Sequence, residues 1–450
     1  MHVTELSTFC HVLTAFRLCS KGQQGTLATP TLLSRIKAAN IMPITQAREV
    51  TPAQRLENVR YAIRDLACVA DEVINQGHRV LPLNVGDPLN FDFQTPPHII
   101  EAAHKAMRDG KNGYAPSPGI PEALEAIRGE AARKGITTVQ DVFVTSGVSE
   151  TVDLCISALV NPGEDILTPK PDYPLYSAVL CKLGIALNAY DLNEDDAWQP
   201  ELADIERKLT PRTRGIVLIN PNNPTGSLCS RQMLEQIAEI ARRHNLVVFA
   251  DEIYDKLILE NTLHIAFAAV APDVPCVTFG GMSKNYLVPG WRIGWGIVSG
   301  DPAAVKPYTE GIHRLLRARL CANHPEQYAI KPALEGPQDH LIEVKRKLRS
   351  RRDLTQKWCE STPRVSCVAP RGAFYAFPRI RFPESDVPES DEVFVKELIR
   401  QKHVMVVHGS GFGQKAGTQH FRIVFLPDEK TLTRAYAGIA DFIRERYGRA

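Results

Sequence analysis

From about residue 96 the chain alternates two kinds of hydrophobic pattern. Apolar positions recur at helical spacing over Pro97–Asp109, Ile120–Lys134, Val148–Leu159 and Ser230–His244, which predicts amphipathic helices. Between and after them lie short continuous apolar runs: Val142–Val144, Asp165–Leu167, Ile216–Ile219, Leu246–Ala250 and Val277–Phe279. Runs apolar at every position, not every second one, predict strands covered on both faces. Their alternation with helices predicts an α/β fold with a large, mostly parallel sheet flanked by helices. Near residue 326 the rhythm breaks. A long charged helix over Leu341–Glu360, aromatic-rich strands within Gly372–Pro378 and His420–Pro427, and a terminal helix predict a smaller α+β domain. The expected division is an extension at 1–45, an arm at 46–95 packing with the small domain, a large domain at 96–325 and a small one at 326–450.

Parallel sheets collect ligands at the carboxyl ends of their strands, so the residues after each run carry information. Val142–Val144 hands over to Thr145-Ser146-Gly147-Val148-Ser149, and Ile216–Ile219 to Asn220-Pro221-Asn222-Asn223-Pro224-Thr225-Gly226. Leu246–Ala250 is followed by Asp251-Glu252-Ile253-Tyr254, and Val277–Phe279 by Gly280-Gly281-Met282-Ser283-Lys284. One such junction is an ordinary turn. Four in one sheet predict a site.

Composition narrows the partners. A chain of 450 residues with 44% hydrophobic and 23% charged residues fits a globular protein of two domains. A formal charge of +2 without a long Lys/Arg run gives no footprint for nucleic acid. No apolar run approaches the ~20 residues that cross a bilayer. The ten cysteines are scattered singly, with neither C-x-x-C nor metal-ligand spacing, which suits the cytoplasm and predicts no metal site. Residues 1–41 hold a single acidic residue, Glu5. They read as a disordered extension, or as a start placed upstream of Met42, in preference to a transit peptide. Their removal is expected to leave activity unchanged.

Each candidate residue has a bland reading beside the sharp one. A lysine in a loop is usually solvated, yet the Lys284 amine could form an imine with an aldehyde cofactor and then act as a base. Arg292 could pair on the surface or grip a phosphate. Asp251 ends an apolar run, so it is either a helix cap or the partner of a protonated ring nitrogen. Tyr254 could reach the same ligand if the turn is helical. Gly147-Val148-Ser149 opens a helix and offers amides to an anion, and Asn220–Gly226 with its two prolines is either a plain turn or one from which Asn223 projects toward a ligand. Arg422, inside an apolar stretch, calls for a carboxylate, from substrate or from a structural salt bridge. The glycines of His408–Gly413 read as a flexible loop, because no strand precedes them and no helix follows as in a dinucleotide fingerprint.

Taken together, LNVGDP (Leu83–Pro88), NGYAPSPG (Asn112–Gly119), TSGVSE, PKPDYPLY (Pro169–Tyr176), INPNNPTG, ADEIYD, SKNYLVPGWRIGW, RGAFYAFP and HFRIVFLP resemble the class I/II, fold type I aminotransferases in content and order, over roughly residues 55 to 445. Within that family, VRYAIRDL, LNVGDPLNFDF, DDAWQPELADI, RARLCANHPEQ and VHGSGFG are most similar to bacterial and archaeal alanine aminotransferases. The resemblance implies pyridoxal 5′-phosphate bound covalently at Lys284, which would also shuttle the substrate's α-proton. It implies Asp251 on the ring nitrogen, Tyr254 and Asn223 on the phenolic oxygen, and Tyr173 against the ring. Val148, Ser149, Ser283 and Arg292 would hold the phosphate, helped by Tyr114 from the neighbouring subunit of a homodimer. Arg422, the Gly86 backbone and Asn223 would bind the substrate carboxylate, and Tyr61 and Arg64 its distal end. Some relatives place a serine three positions before the lysine where this chain has Gly281, so Ser283 stands in its place. The expected reaction is transamination of alanine with 2-oxoglutarate, giving pyruvate and glutamate. Aspartate or aromatic amino acids are the alternative substrates, and a lyase or an aminotransferase-like regulator is a more distant reading.

Overall fold

The computed structural model describes residues 49–59, 66–383 and 390–448. Eight strands make one sheet: β1 (Val139–Thr145), β2 (Asp165–Lys170), β3 (Asn188–Asn193), β4 (Gln199–Pro200), β5 (Thr213–Ile219), β6 (Val247–Asp251), β7 (Cys276–Gly281) and β8 (Gly294–Ser299). Their order across the sheet is β1-β8-β7-β6-β5-β2-β3-β4. The β7-β6-β5-β2-β3 block is parallel, whereas β8 runs antiparallel between β7 and β1, and β4 antiparallel to β3. Every apolar run read from the sequence falls in one of these strands, save that Leu246 of Leu246–Ala250 lies just before its strand.

Burial explains why those runs show no alternation. Val142, Val144, Ile216, Leu218, Val248 and Ala250 face one core, and Phe143, Val217, Ile219, Phe249, Val277 and Phe279 the other. Successive side chains point to opposite faces, and helices cover both, so each position is apolar. A fully buried side chain of this size contributes roughly 1.5–3 kcal/mol. The predicted helices appear at Pro97–Arg108, Pro121–Arg133, Val148–Leu159 and Arg231–Arg243. Ser230 caps the last of these, its hydroxyl accepting from the Met233 amide at 3.1 Å.

A smaller α+β part follows. Helix Asp339–Ser361 leads to a three-stranded antiparallel sheet in which Phe421–Val424 lies between Tyr375–Ala376 and Val407–His408, and helix Glu429–Tyr447 ends it. The aromatic strands are much shorter than the apolar stretches that announced them. Upstream, Leu81–Pro82 pairs in parallel with Val404–Met405, and Arg351 of the long helix, 1% exposed, grips both Asp92 oxygens at 2.7 and 2.8 Å. The glycine-containing segment from His408 departs from its expected flexibility. It follows the short strand and closes a single 3-10 turn, Gly409–Phe412, whose Gly409 and Phe412 are buried. The Ser410 amide donates to Asp391 Oδ2 at 2.6 Å, and Phe412 stacks under the Arg422 guanidinium, 4.7 Å from its ring centre. Among the described residues no helix is long and apolar enough to cross a membrane.

Candidate active site

The carboxyl ends of β1, β2, β5, β6 and β7 meet the small sheet around a cavity of about 290 Å³, near the lower end of small-molecule sites. Register makes this meeting compact: Ile219 of β5 pairs with Asp251 of β6, and Asp251 with Phe279 of β7. Lys284, Asp251, Tyr254, Asn223, Tyr173, Val148, Ser149, Ser283, Arg292, Gly86 and Arg422 all line the cavity. Eleven expected residues, spread over more than 330 positions of sequence from Gly86 to Arg422, are thus brought together. Tyr114 is not among them; it lies at the surface, 82% exposed, between two helices. Tyr61, Arg64 and residues 1–41 lie outside the described residues.

Lys284 follows β7 in a turn, and its Nζ donates to the Gly86 carbonyl at 2.8 Å. Burial brings its amine down to about 8, opposed by nearby Asp87 and assisted by Arg422 and Arg292. A substantial share is therefore neutral and nucleophilic near physiological pH. Asp251 ends β6, where burial raises its carboxyl to about 6 even though the Tyr176 hydroxyl donates to Oδ2 at 2.8 Å. Its Oδ1 accepts a long bond from the Ile253 amide, 3.3 Å, so the capping reading holds in part. Yet no cation stands within salt-bridge reach of Asp251 among the described residues. A buried carboxylate of this kind is completed by a cationic ligand.

Tyr254 reaches the cavity from a turn, not a helix, and its hydroxyl pairs with that of Tyr375 at 2.8 Å. Arg422 projects from the central strand of the small sheet. Its guanidinium donates to Asn223 Oδ1 at 3.0 Å and to the Asn84 carbonyl, and lies 4.8 Å from the Tyr375 ring centre. These contacts hold the guanidinium on the lining of the cavity, where its planar fork suits a carboxylate. Elsewhere around the cavity, Gly147 (φ +85°) precedes helix Val148–Leu159 against Arg292, and a Cβ there would run into the guanidinium. The helix's first amides lack intrahelical acceptors, and no carboxylate pairs with Arg292 among the described residues. Amides and guanidinium together form an anion cradle.

Three contributors escaped sequence reasoning: Tyr176, Tyr375 and the Asn84 carbonyl. Tyr176 lies on the first turn of helix Leu175–Leu183, three residues after Tyr173, which precedes the helix; that nearness to a residue already singled out was its only signal. For Tyr375 the hint was a hydroxyl in an otherwise apolar strand. No signal could have marked a main-chain oxygen.

The geometry has counterparts among known proteins. The family model for aminotransferase class I and II matches residues 78–439. The glutamate-pyruvate aminotransferase AlaA of Haemophilus influenzae is 40% identical over 398 residues, spanning 87% of this chain and 98% of that one. The alanine aminotransferase of Mycobacterium tuberculosis is 38% identical over 405 residues, spanning 88% and 93%. A solved structure of alanine aminotransferase from Pyrococcus furiosus matches with a TM-score of 0.85 at 40% identity, over 88% of this chain and 100% of that one. With its family signature, its fold and its site in agreement, the chain belongs to the class I and II aminotransferases.

Proposed function

We propose that this enzyme transfers the amino group of alanine to 2-oxoglutarate, giving pyruvate and glutamate. One observation carries the reading: a lysine amine held near 8 and a buried carboxylate, with no cation in salt-bridge reach among the described residues, share a cavity with two arginines. The choice of alanine is supported by relatives named glutamate-pyruvate and alanine aminotransferase. The family works with pyridoxal 5′-phosphate, and the residues present fit it. No cation reaches Asp251 among the described residues, a place that a protonated pyridine nitrogen would fill, and the Gly147–Arg292 cradle suits a phosphate. When bound, the cofactor supplies an electron-poor ring that takes up the electron pair left at the substrate's α-carbon.

The chain's own groups do the rest. Lys284 would hold the cofactor's aldehyde carbon, and its freed Nζ, neutral near pH 8, would take the α-proton and return it. Asp251 would keep the ring nitrogen protonated, with Tyr176 aligning the carboxylate. Tyr254 and Asn223 would face the phenolic oxygen, and Tyr173 the ring. Val148, Ser149, Ser283 and Arg292 would grip the phosphate. Arg422 and the Gly86 backbone would orient the α-carboxylate. We place the enzyme in the cytoplasm as a homodimer, the exposed Tyr114 reaching the neighbouring subunit's phosphate site.

Steady-state rates across an amino-acid panel test this. With 2-oxoglutarate as acceptor, kcat/KM for alanine should exceed that for aspartate or tyrosine; a reversed order would overturn the substrate assignment. Release of product without conversion of the cofactor to its amine form would instead indicate a lyase.

A further inference from the structure

Beneath the turn that carries Asp251 and Tyr254 lies an ion cluster with no part in the reading above. Lys134 follows helix Pro121–Arg133, and its side chain, 15% exposed, turns inward. Its ammonium sits 2.7 Å from Glu252 Oε2 and 2.9 Å from Asp255 Oδ2. These two carboxylates are the immediate sequence neighbours of Asp251 and Tyr254. Each has a second anchor. Asp255 Oδ1 accepts from Asn285 Nδ2 at 2.6 Å, and Asn285 adjoins Lys284; Glu252 Oε1 accepts from the Phe267 amide at 3.0 Å. One ammonium thereby ties a helix to both loops that present the reactive groups.

We propose that Lys134 is a positioning residue for the cofactor site, fixing Asp251 and Tyr254 through its bridge to Glu252 and Asp255, and Lys284 through Asp255 and Asn285. The inference rests on the cofactor roles proposed for Lys284 and Asp251. Two carboxylates this close repel strongly where water is excluded, and the ammonium between them offsets that repulsion. Burial works against ionised Asp255, yet Lys134 holds its carboxyl down at about 2. In turn the two carboxylates raise the Lys134 ammonium well above its ordinary value despite burial. The surroundings are balanced. From the helix come Arg133 and Glu130, the latter also bound by Lys256 of the turn at 2.6 Å. His264 stands 3.9 Å from Glu252, and His340 meets the Asn285 carbonyl at 2.9 Å. Removing Lys134 leaves one negative charge in excess beneath the turn.

The test measures pyridoxal phosphate binding to cofactor-free full-length protein, together with the pH midpoint of the loaded protein's visible absorbance. Lys134→Met should weaken binding by about tenfold, as loss of a supporting partner typically does, and should raise the midpoint, because excess negative charge favours the protonated form. Adding Asp255→Asn removes the excess and should recover most of both losses. A single variant with wild-type affinity and midpoint, or a double variant no better than the single, would overturn the proposal. Should Lys134→Met not fold, Asn285→Ala takes its place, since it keeps every charge and cuts only the tie to the Lys284 loop. Severalfold weaker binding then supports the proposal, and wild-type binding overturns it. Wild-type protein that binds no pyridoxal phosphate would mark failure of the site assignment itself.

Discussion

Burial raises the Asp251 carboxyl to about 6 from an ordinary 3.8, so the cofactor-free fold binds this proton more tightly than the unfolded chain does. Stability from this group is present at low pH and is lost as pH rises through the folded-state value. The penalty accumulates between about pH 4 and 6 and is constant above. Asp251→Asn removes it and can still accept from Tyr176. Cofactor-free Asp251→Asn should therefore be more stable by about 1–3 kcal/mol at pH 7, an advantage that fades toward pH 4 in denaturant titrations, while its transamination rate collapses. Lys284 has the opposite profile in function. Its amine reacts when neutral, so the rate of cofactor capture should rise through about pH 8 and level off beyond it. Lys284→Ala should lower kcat by roughly 10²–10⁴, the usual worth of a positioned proton-transfer group, as read from steady-state rates. At this scale the sequence was informative wherever a polar residue interrupted an apolar run, as with Asp251 and Arg422. It gave only weak hints of Tyr176 and Tyr375, whose hydroxyls act on other site residues.

Several functional residues sit at or just past the end of a strand, as Asp251 and Lys284 do, or at the start of a helix, as Val148 and Ser149 do. Gly147 shows how tightly such a junction is built, with a φ of +85° and no room for a Cβ against Arg292. Gly147→Ala should displace the guanidinium and weaken pyridoxal phosphate binding by at least about tenfold, measured by equilibrium dialysis. The effect on kcat at saturating cofactor should be smaller. Strands buried on both faces were legible because every position had to be apolar, and Val142–Val144 and Ile216–Ile219 stood out on that ground. Strand order was not legible. The antiparallel insertion of β8 between β7 and β1 depends on long-range pairing that no local pattern encodes. The buried 3-10 turn at Gly409–Phe412 was misread as mobile because its partners, Asp391 and Arg422, are remote or masked by apolar neighbours.

At the scale of the molecule, the cavity is assembled from two sheets, and Arg292, Arg422, Lys284 and Asp251 all line it. A phosphate and a carboxylate at the two arginines would set the direction in which cofactor and substrate lie. Among the described residues, Tyr114 is the one expected contributor that the cavity of a single chain does not include. Sedimentation should give twice the chain mass, and Tyr114→Phe should weaken cofactor binding severalfold without altering that mass. A fully active monomer would refute the shared site. Removal of residues 1–41, upstream of the segment matched to the family at 78–439, should leave kcat/KM unchanged.

The measurement that bears most directly on all of this is chemical. The protein is incubated with pyridoxal phosphate, reduced with borohydride and digested, and the modified peptide is sequenced by mass spectrometry. Stoichiometric label on Lys284 is the predicted result. Label confined to another lysine, or none at all, would contradict the account.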